Sequence, residues 1–167
     1  MLPLYGGVTR SRATVEGYLA EQQQRGGPNT GCVQTYVQCS REGVVEAVDT
    51  QLLSRDRGEL SFVPSTALEN AVIDGVTRYL GLLGRISVLP PFFVMLSLLG
   101  IAGYRLSIPA GLSDVQFRQS RLLLPELALQ AADGEPALLL RPLFDSLWNA
   151  WGYTECGNYD GSGRMRA

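Results

Sequence analysis

An α+β fold is what the sequence predicts: a single domain over residues 1–160, in which a mostly antiparallel sheet of about six strands is packed by two main helices near 66–84 and 136–151. An irregular tail over 161–167 follows. Three observations carry the expectation. Residues 32–50 alternate in polarity at period two around a Ser-Arg-Glu-Gly turn, apolar residues recur at helical spacing from Leu68 to Leu83, and a second helical row runs from Leu139 to Trp151. The chain has 167 residues, 46% of them hydrophobic and 18% charged. A chain of this length buries roughly 70% of its unfolded surface, so staples are unnecessary, and the composition excludes wholesale disorder and coiled coil.

Taken in order, Val15–Glu21 is a short strand, and the polar, glycine-rich run from Gln22 to Gly31 is a loop. Cys32–Cys39 and Val44–Thr50 are the two arms of a hairpin. Ser40 at the start of the turn and Gly43 where positive φ is wanted suit a type I turn closed by a G1 bulge. That turn sets Ser40 against Val44, Val37 against Ala47 and Tyr36 against Val48. Val33, Val37, Cys39, Val45 and Ala47 then share one face, and Gln34, Tyr36, Gln38, Val44, Glu46 and Val48 the other. Leu60–Val63 is a brief extended segment ahead of the first helix, where Thr66 and Glu69 stand at capping-box spacing and Gly84 offers a stop. Phe92–Leu99 is apolar at every second residue on both faces, as in a central strand covered on both sides, and Tyr104–Ile108 would return as a second hairpin. Leu122–Gln130 is a further strand, with Pro125 marking an edge or bulge. Asp133–Pro136 resembles a helix start, and Pro142 within the second helix predicts a kink or restart.

The composition removes several chemistries. There is no histidine and no lysine; the 14 basic residues are all arginine, and 16 acids leave a net charge of −2. Histidine-dependent nucleophile pairs, HExxH zinc sites, Walker A loops and Schiff bases are therefore excluded. The segment Met1–Gly7 has neither a basic n-region nor a long apolar h-region, and the apolar run Val88–Ala102 is shorter than the ~18 residues of a membrane span, so a cytoplasmic chain without a membrane segment is expected. Cys32, Cys39 and Cys156 lack CxxC spacing and read as free, buried thiols; neither a metal nor a cofactor is expected.

Candidate sites are few. Glu42, Glu46 and Asp49 cluster in sequence, but the hairpin register disperses them. Phe117 with Arg118 and Arg121 is the pattern of a single-strand nucleic-acid binder, set against a chain whose net charge is negative. Trp148, Trp151 and Tyr153, with Phe144 a turn earlier, form an aromatic cluster that suits either core or interface.

The runs Tyr36–Asp49, Pro90–Arg105 and Leu140–Ala150 resemble the C-terminal region of uncharacterised bacterial proteins whose N-terminal part is a Schlafen-like, AlbA-type DNA-binding domain. The resemblance covers roughly residues 8–160 and implies no catalytic residues. Any nucleic-acid activity would belong to the N-terminal domain, for which this chain has no room.

A non-enzymatic regulatory or protein-interaction module, a companion of a Schlafen-like domain supplied elsewhere or lost by truncation, is the reading these observations favour. A protein partner or self-association is expected, and direct nucleic-acid binding is not. Tyr104, Trp151 and Tyr153 are the expected contact positions, and Arg105 and Arg141 the expected anion or carboxylate pairs, since the planar guanidinium suits bidentate recognition. The alternatives are an accessory single-stranded nucleic-acid binder through Arg118 and Arg121, and a carboxylate-based hydrolase using Glu46 or Asp145.

Overall fold

The computed structural model describes residues 10–24, 30–53 and 61–160. The fold is α+β; the described residues form two helices and eleven short strands, and their pairing is antiparallel except at one place. The strands divide among four sheets, where one sheet of about six was expected. Most are two to four residues long, because glycine, proline and buried anchor residues turn the chain before a longer ladder forms. The expected tail at 161–167 lies outside the described residues. Two compact units are formed, residues 1–54 with 81–88 and residues 55–80 with 89–167.

The first unit holds a four-stranded antiparallel meander: β1 (Arg10–Ala13), β2 (Gly17–Gln23), β3 (Val33–Ser40) and β4 (Val45–Asp49). The β3–β4 hairpin has the expected register, with Val37 opposite Ala47 and Tyr36 opposite Val48. The Ser40 N–H donates to the Val44 carbonyl at 2.8 Å, and Gly43 sits at φ 83° in the bulge. The Ser40 hydroxyl accepts from the amides of Glu42 and Val44, closing the turn. Ala20 and Val37, paired across β2 and β3, are the buried centre of this sheet. Strand β1 was not expected; Arg-Ser-Arg-Ala has no apolar alternation, and all four residues are exposed. A side chain at Gly17 would collide with the Cys39 carbonyl, so only glycine lets β2 approach β3 there.

Strand β5 (Phe62–Val63) leads through Pro64 into α1 (Ser65–Arg85). The helix ends one residue beyond the expected stop at Gly84. Val88 donates to the Leu83 carbonyl and Ser87 to that of Gly84, the paired bonds of a Schellman motif, with Ser87 in the left-handed position at φ 60°.

In the second unit, β6 (Phe92–Val94) and β7 (Ser97–Leu99) are followed by β8 (Arg105–Ile108), β9 (Gly111–Leu112), β10 (Arg121–Leu123) and β11 (Leu127–Leu129). The expected hairpin between 92–99 and 104–108 does not form: β6 pairs with β11 and β7 with β10. Gly100 and Gly103, at φ 74° and 83°, turn the chain around the fully buried Ile101. Their amides donate to the carbonyls of Ser120 and Phe117, which brings residues 117–120 alongside instead. β8 lies between β5, which runs parallel to it, and β9. Segments 92–99 and 121–129 form one long ribbon. Between its two ladders lie Met95 and Leu96 on one strand and Leu124, Pro125 and Glu126 on the other, a bulge at the expected proline.

The helix α2 (Pro136–Asn149) closes the core of this unit with Leu140, Leu143, Phe144, Leu147 and Trp148, all buried. It runs through Pro142 without the expected restart. Leu138, whose carbonyl loses its helical donor to the proline ring, is 45% exposed, where water can replace that donor. The helix stops at Asn149, two residues short of the expected end, and Trp151 lies just beyond it.

Candidate functional site

Two features of the second unit stand out chemically: a buried polar cluster around Glu69 and an exposed apolar face on the long ribbon.

Glu69 was expected in a capping box with Thr66. Instead the helix starts at Ser65, the Pro64 carbonyl accepts from the Leu68 amide, and the Glu69 side chain turns inward to 0% exposure. Its Oε1 accepts the Trp148 indole N–H at 2.8 Å and its Oε2 accepts from Asn158 Nδ2 at 3.0 Å. The Cys156 thiol stands 3.4 Å from both carboxylate oxygens. Asn158 also reaches the Ser65 hydroxyl at 3.1 Å. Burial is the main influence on Glu69 and raises its carboxyl above the ordinary carboxylate range; the donors oppose that rise and nearby Asp145 adds to it. Burial likewise pushes the Cys156 thiol up to about 12 and raises the Tyr159 phenol.

Residues 156–159 are therefore held against the core. Cys156, Asn158 and Tyr159 are buried. The Cys156 amide donates to Asp145 Oδ1 at 2.8 Å, and the Tyr159 hydroxyl to the Ala137 carbonyl at 2.7 Å. Two carboxylates therefore meet at Cys156, Glu69 through the thiol and Asp145 through the amide. Glu69 is sealed in the core, while Asp145 is half-buried and engaged by the Cys156 amide and by Arg141.

The residues singled out in the sequence have these places. Trp151 is 1% exposed, donates its indole N–H to the Tyr104 carbonyl at 3.1 Å and packs on Phe117 at 5.3 Å. Tyr104 is buried as well, so these two serve the core and are not surface contacts. Tyr153 is half-buried, edge-on to Trp148 at 5.3 Å. Arg105 is half-buried; Nη1 donates to the Ser113 carbonyl at 3.1 Å, and Nε is enclosed without a hydrogen-bond acceptor. Arg141 pairs with Glu155 at 3.3 Å and Asp145 at 3.9 Å, with Tyr159 under its guanidinium. Phe117 spends its ring on Trp151, leaving Arg118 and Arg121 exposed without the aromatic that was to stack on a base. Glu46 is exposed beside Tyr36, and Asp49 caps the amides of Gln51 and Leu52 from the opposite face, which disperses the acids as the register implied. Cys32 is exposed, Cys39 half-buried and only Cys156 buried; Cys32 lies just ahead of β3.

The ribbon face was missed. Phe92 and Leu98 point inward and are buried, but Phe93, Met95 and Leu99, on the alternate positions, are 55%, 72% and 68% exposed. Leu123, opposite Ser97 on the partner strand, is 62% exposed. The expected cover on both sides is present on one side only. Arg121 lies opposite Leu99 and borders this face.

Comparison with protein-family models, curated proteins and solved structures finds no match. Among the described residues, no cluster of three or more histidine, cysteine or acidic side chains is placed to hold a metal ion, and no helix is long and apolar enough to cross a membrane.

Proposed function

We propose that this chain is a non-enzymatic regulatory or protein-interaction module that works by surface recognition. The observation that carries the reading is the apolar face formed by Phe93, Met95, Leu99 and Leu123 on the outer side of the ribbon. Exposed apolar residues are ordinarily scattered singly, whereas several large ones on one face of a paired ribbon mark a surface used for association. The absence of histidine and lysine, the burial of Glu69 and the engagement of Asp145 by Cys156 and Arg141 support a binding role over a catalytic one. Companionship with a Schlafen-like DNA-binding domain rests on the sequence resemblance.

Co-purification from the native host, with sedimentation at micromolar concentration, tests the reading. The wild-type chain is expected in a complex or self-associated, and Met95→Glu with Leu123→Glu is expected to run alone while keeping its circular dichroism spectrum. A wild-type chain that sediments as a lone monomer and brings nothing with it overturns the proposal. The nucleic-acid alternative has the exposed pair Arg118 and Arg121 in its favour; a salt-dependent shift of labelled single-stranded DNA, lost on replacing both, would establish it instead.

A further inference from the structure

We propose that residues 153–160 form a clasp over the start of α1 whose opening is coupled to release of the Glu69 proton. The argument begins with what surrounds that carboxyl. It is fully buried, it is held by the indole of Trp148, the amide of Asn158 and the thiol of Cys156, and among the described residues no cation pairs with it. From α1 it is joined by the Ser65 hydroxyl, which does not titrate in the accessible range. From α2 come Asp145, a second negative group, and Arg141, whose charge is taken up by Asp145, Glu155 and the Tyr159 ring. From the segment itself come Cys156 and Tyr159.

A negative charge formed in this place strains whichever element is most easily moved. Helix α2 is anchored by Leu140, Leu143, Phe144 and Leu147, each at most 2% exposed. Segment 153–160 has no helix, and its regular backbone pairing is a single bridge at Tyr159. Apart from that bridge and the Tyr153 amide on the Trp148 carbonyl, its ties run through side chains: Asn149 to the Tyr153 and Thr154 carbonyls, Tyr159 to Ala137, Asn158 to Ser65 and Glu69, and Asp145 to the Cys156 amide. Local opening favours such a segment over the helices, and it admits water to Glu69. It also uncovers Cys156, which is 2% exposed when the clasp is shut. Burial, which raises the Glu69 carboxyl, makes the closed form bind its proton more tightly than the open form, so opening grows as pH rises.

The full chain carries its own reference, the exposed Cys32. N-ethylmaleimide labelling, read peptide by peptide in a mass spectrometer from pH 5 to 8, gives the ratio of Cys156 to Cys32 rates and so cancels the intrinsic reactivity of the thiol. In the wild type the ratio should climb with pH by up to about tenfold per unit, then level off once the closed-state carboxyl ionises. Glu69→Gln should leave it flat, and Asp145→Asn, which keeps an acceptor for the Cys156 amide but removes the neighbouring charge, should shrink the total rise. A flat wild-type ratio, or a Glu69→Gln curve that follows the wild type, overturns the clasp. Should Glu69→Gln fail to fold, an undiminished rise in Asp145→Asn does the same.

Discussion

The indole N–H of Trp148 and Oε1 of Glu69 meet at 2.8 Å although 79 residues separate them in sequence. The bond joins α2 to the start of α1, and it is sealed from water on both sides, since Trp148 is 2% and Glu69 0% exposed. A buried acceptor stripped of one donor loses the desolvation free energy that donor had offset. Trp148→Phe is therefore expected to lower stability by about 1–3 kcal/mol for the bond alone. The loss in urea midpoint should be larger at pH 8 than at pH 5, because an ionised carboxylate depends more on its donors. Equal losses at the two pH values would contradict the assignment.

Trp151 and Met95 make an opposed pair. Trp151 is enclosed at 1% exposure, so Trp151→Ala leaves a cavity and leaves the Tyr104 carbonyl to the Phe117 amide after the indole donor is lost, with an expected cost of about 3–5 kcal/mol. Met95, at 72% exposure, should tolerate alanine within about 0.5 kcal/mol. Guanidinium unfolding curves for the two variants decide whether the aromatic cluster is core and the ribbon face is surface.

Ser87 closes α1 from a left-handed backbone at φ 60°, a conformation in which a Cβ is unfavourable. Replacement by glycine keeps the bonds from Ser87 and Val88 to Gly84 and Leu83 while removing that penalty. Ser87→Gly should raise the thermal midpoint, corresponding to a gain of roughly 1 kcal/mol.

Alkaline pH should destabilise the protein through Cys156 and Tyr159. Burial holds the Cys156 thiol at about 12 against an ordinary 9.0, so in that interval the folded chain keeps a proton that the unfolded chain has released. Its contribution is complete below 9.0 and is lost as pH rises toward 12. Tyr159 acts in the same direction above its ordinary value of 10.0. Chemical unfolding followed from pH 8 to 11 should show a declining free energy, with a shallower decline in Cys156→Ala; parallel curves would refute the thiol's part.

How much of this was legible follows from which signals are local. The β3–β4 hairpin could be read to the residue because alternation and turn chemistry at Ser40 and Gly43 agree, and both lie within twenty residues of chain. Strand β1 could not, since Arg-Ser-Arg-Ala becomes a strand only by lying against β2. Glu69 was misassigned because its spacing from Thr66 is a valid local cap signal, while its actual partners, Trp148 and Asn158, come from the far end of the sequence. Phe92–Leu99 shows the ambiguity of an apolar run: a strand covered twice and a strand with one uncovered face spell the same pattern. Trp151 and Tyr104 read as polar-tipped aromatics fit for an interface, yet the tip of one is spent on the carbonyl of the other.

The ribbon's bulge has a consequence for how this chain tolerates change in length. On the strand 121–129 the inward positions switch from Leu122 and Leu124 to Leu127 and Leu129, across the extra residue among Leu124, Pro125 and Glu126. Losing one residue there would set two residues against Met95 and Leu96, removing the bulge and leaving Leu127 and Leu129 inward along an unbroken alternation. Losing two would swing Leu127 and Leu129 into water and draw Ala128 inside. Deletions at 124–126 should thus be accepted or rejected by whether their number is odd or even, more than by which side chains they remove.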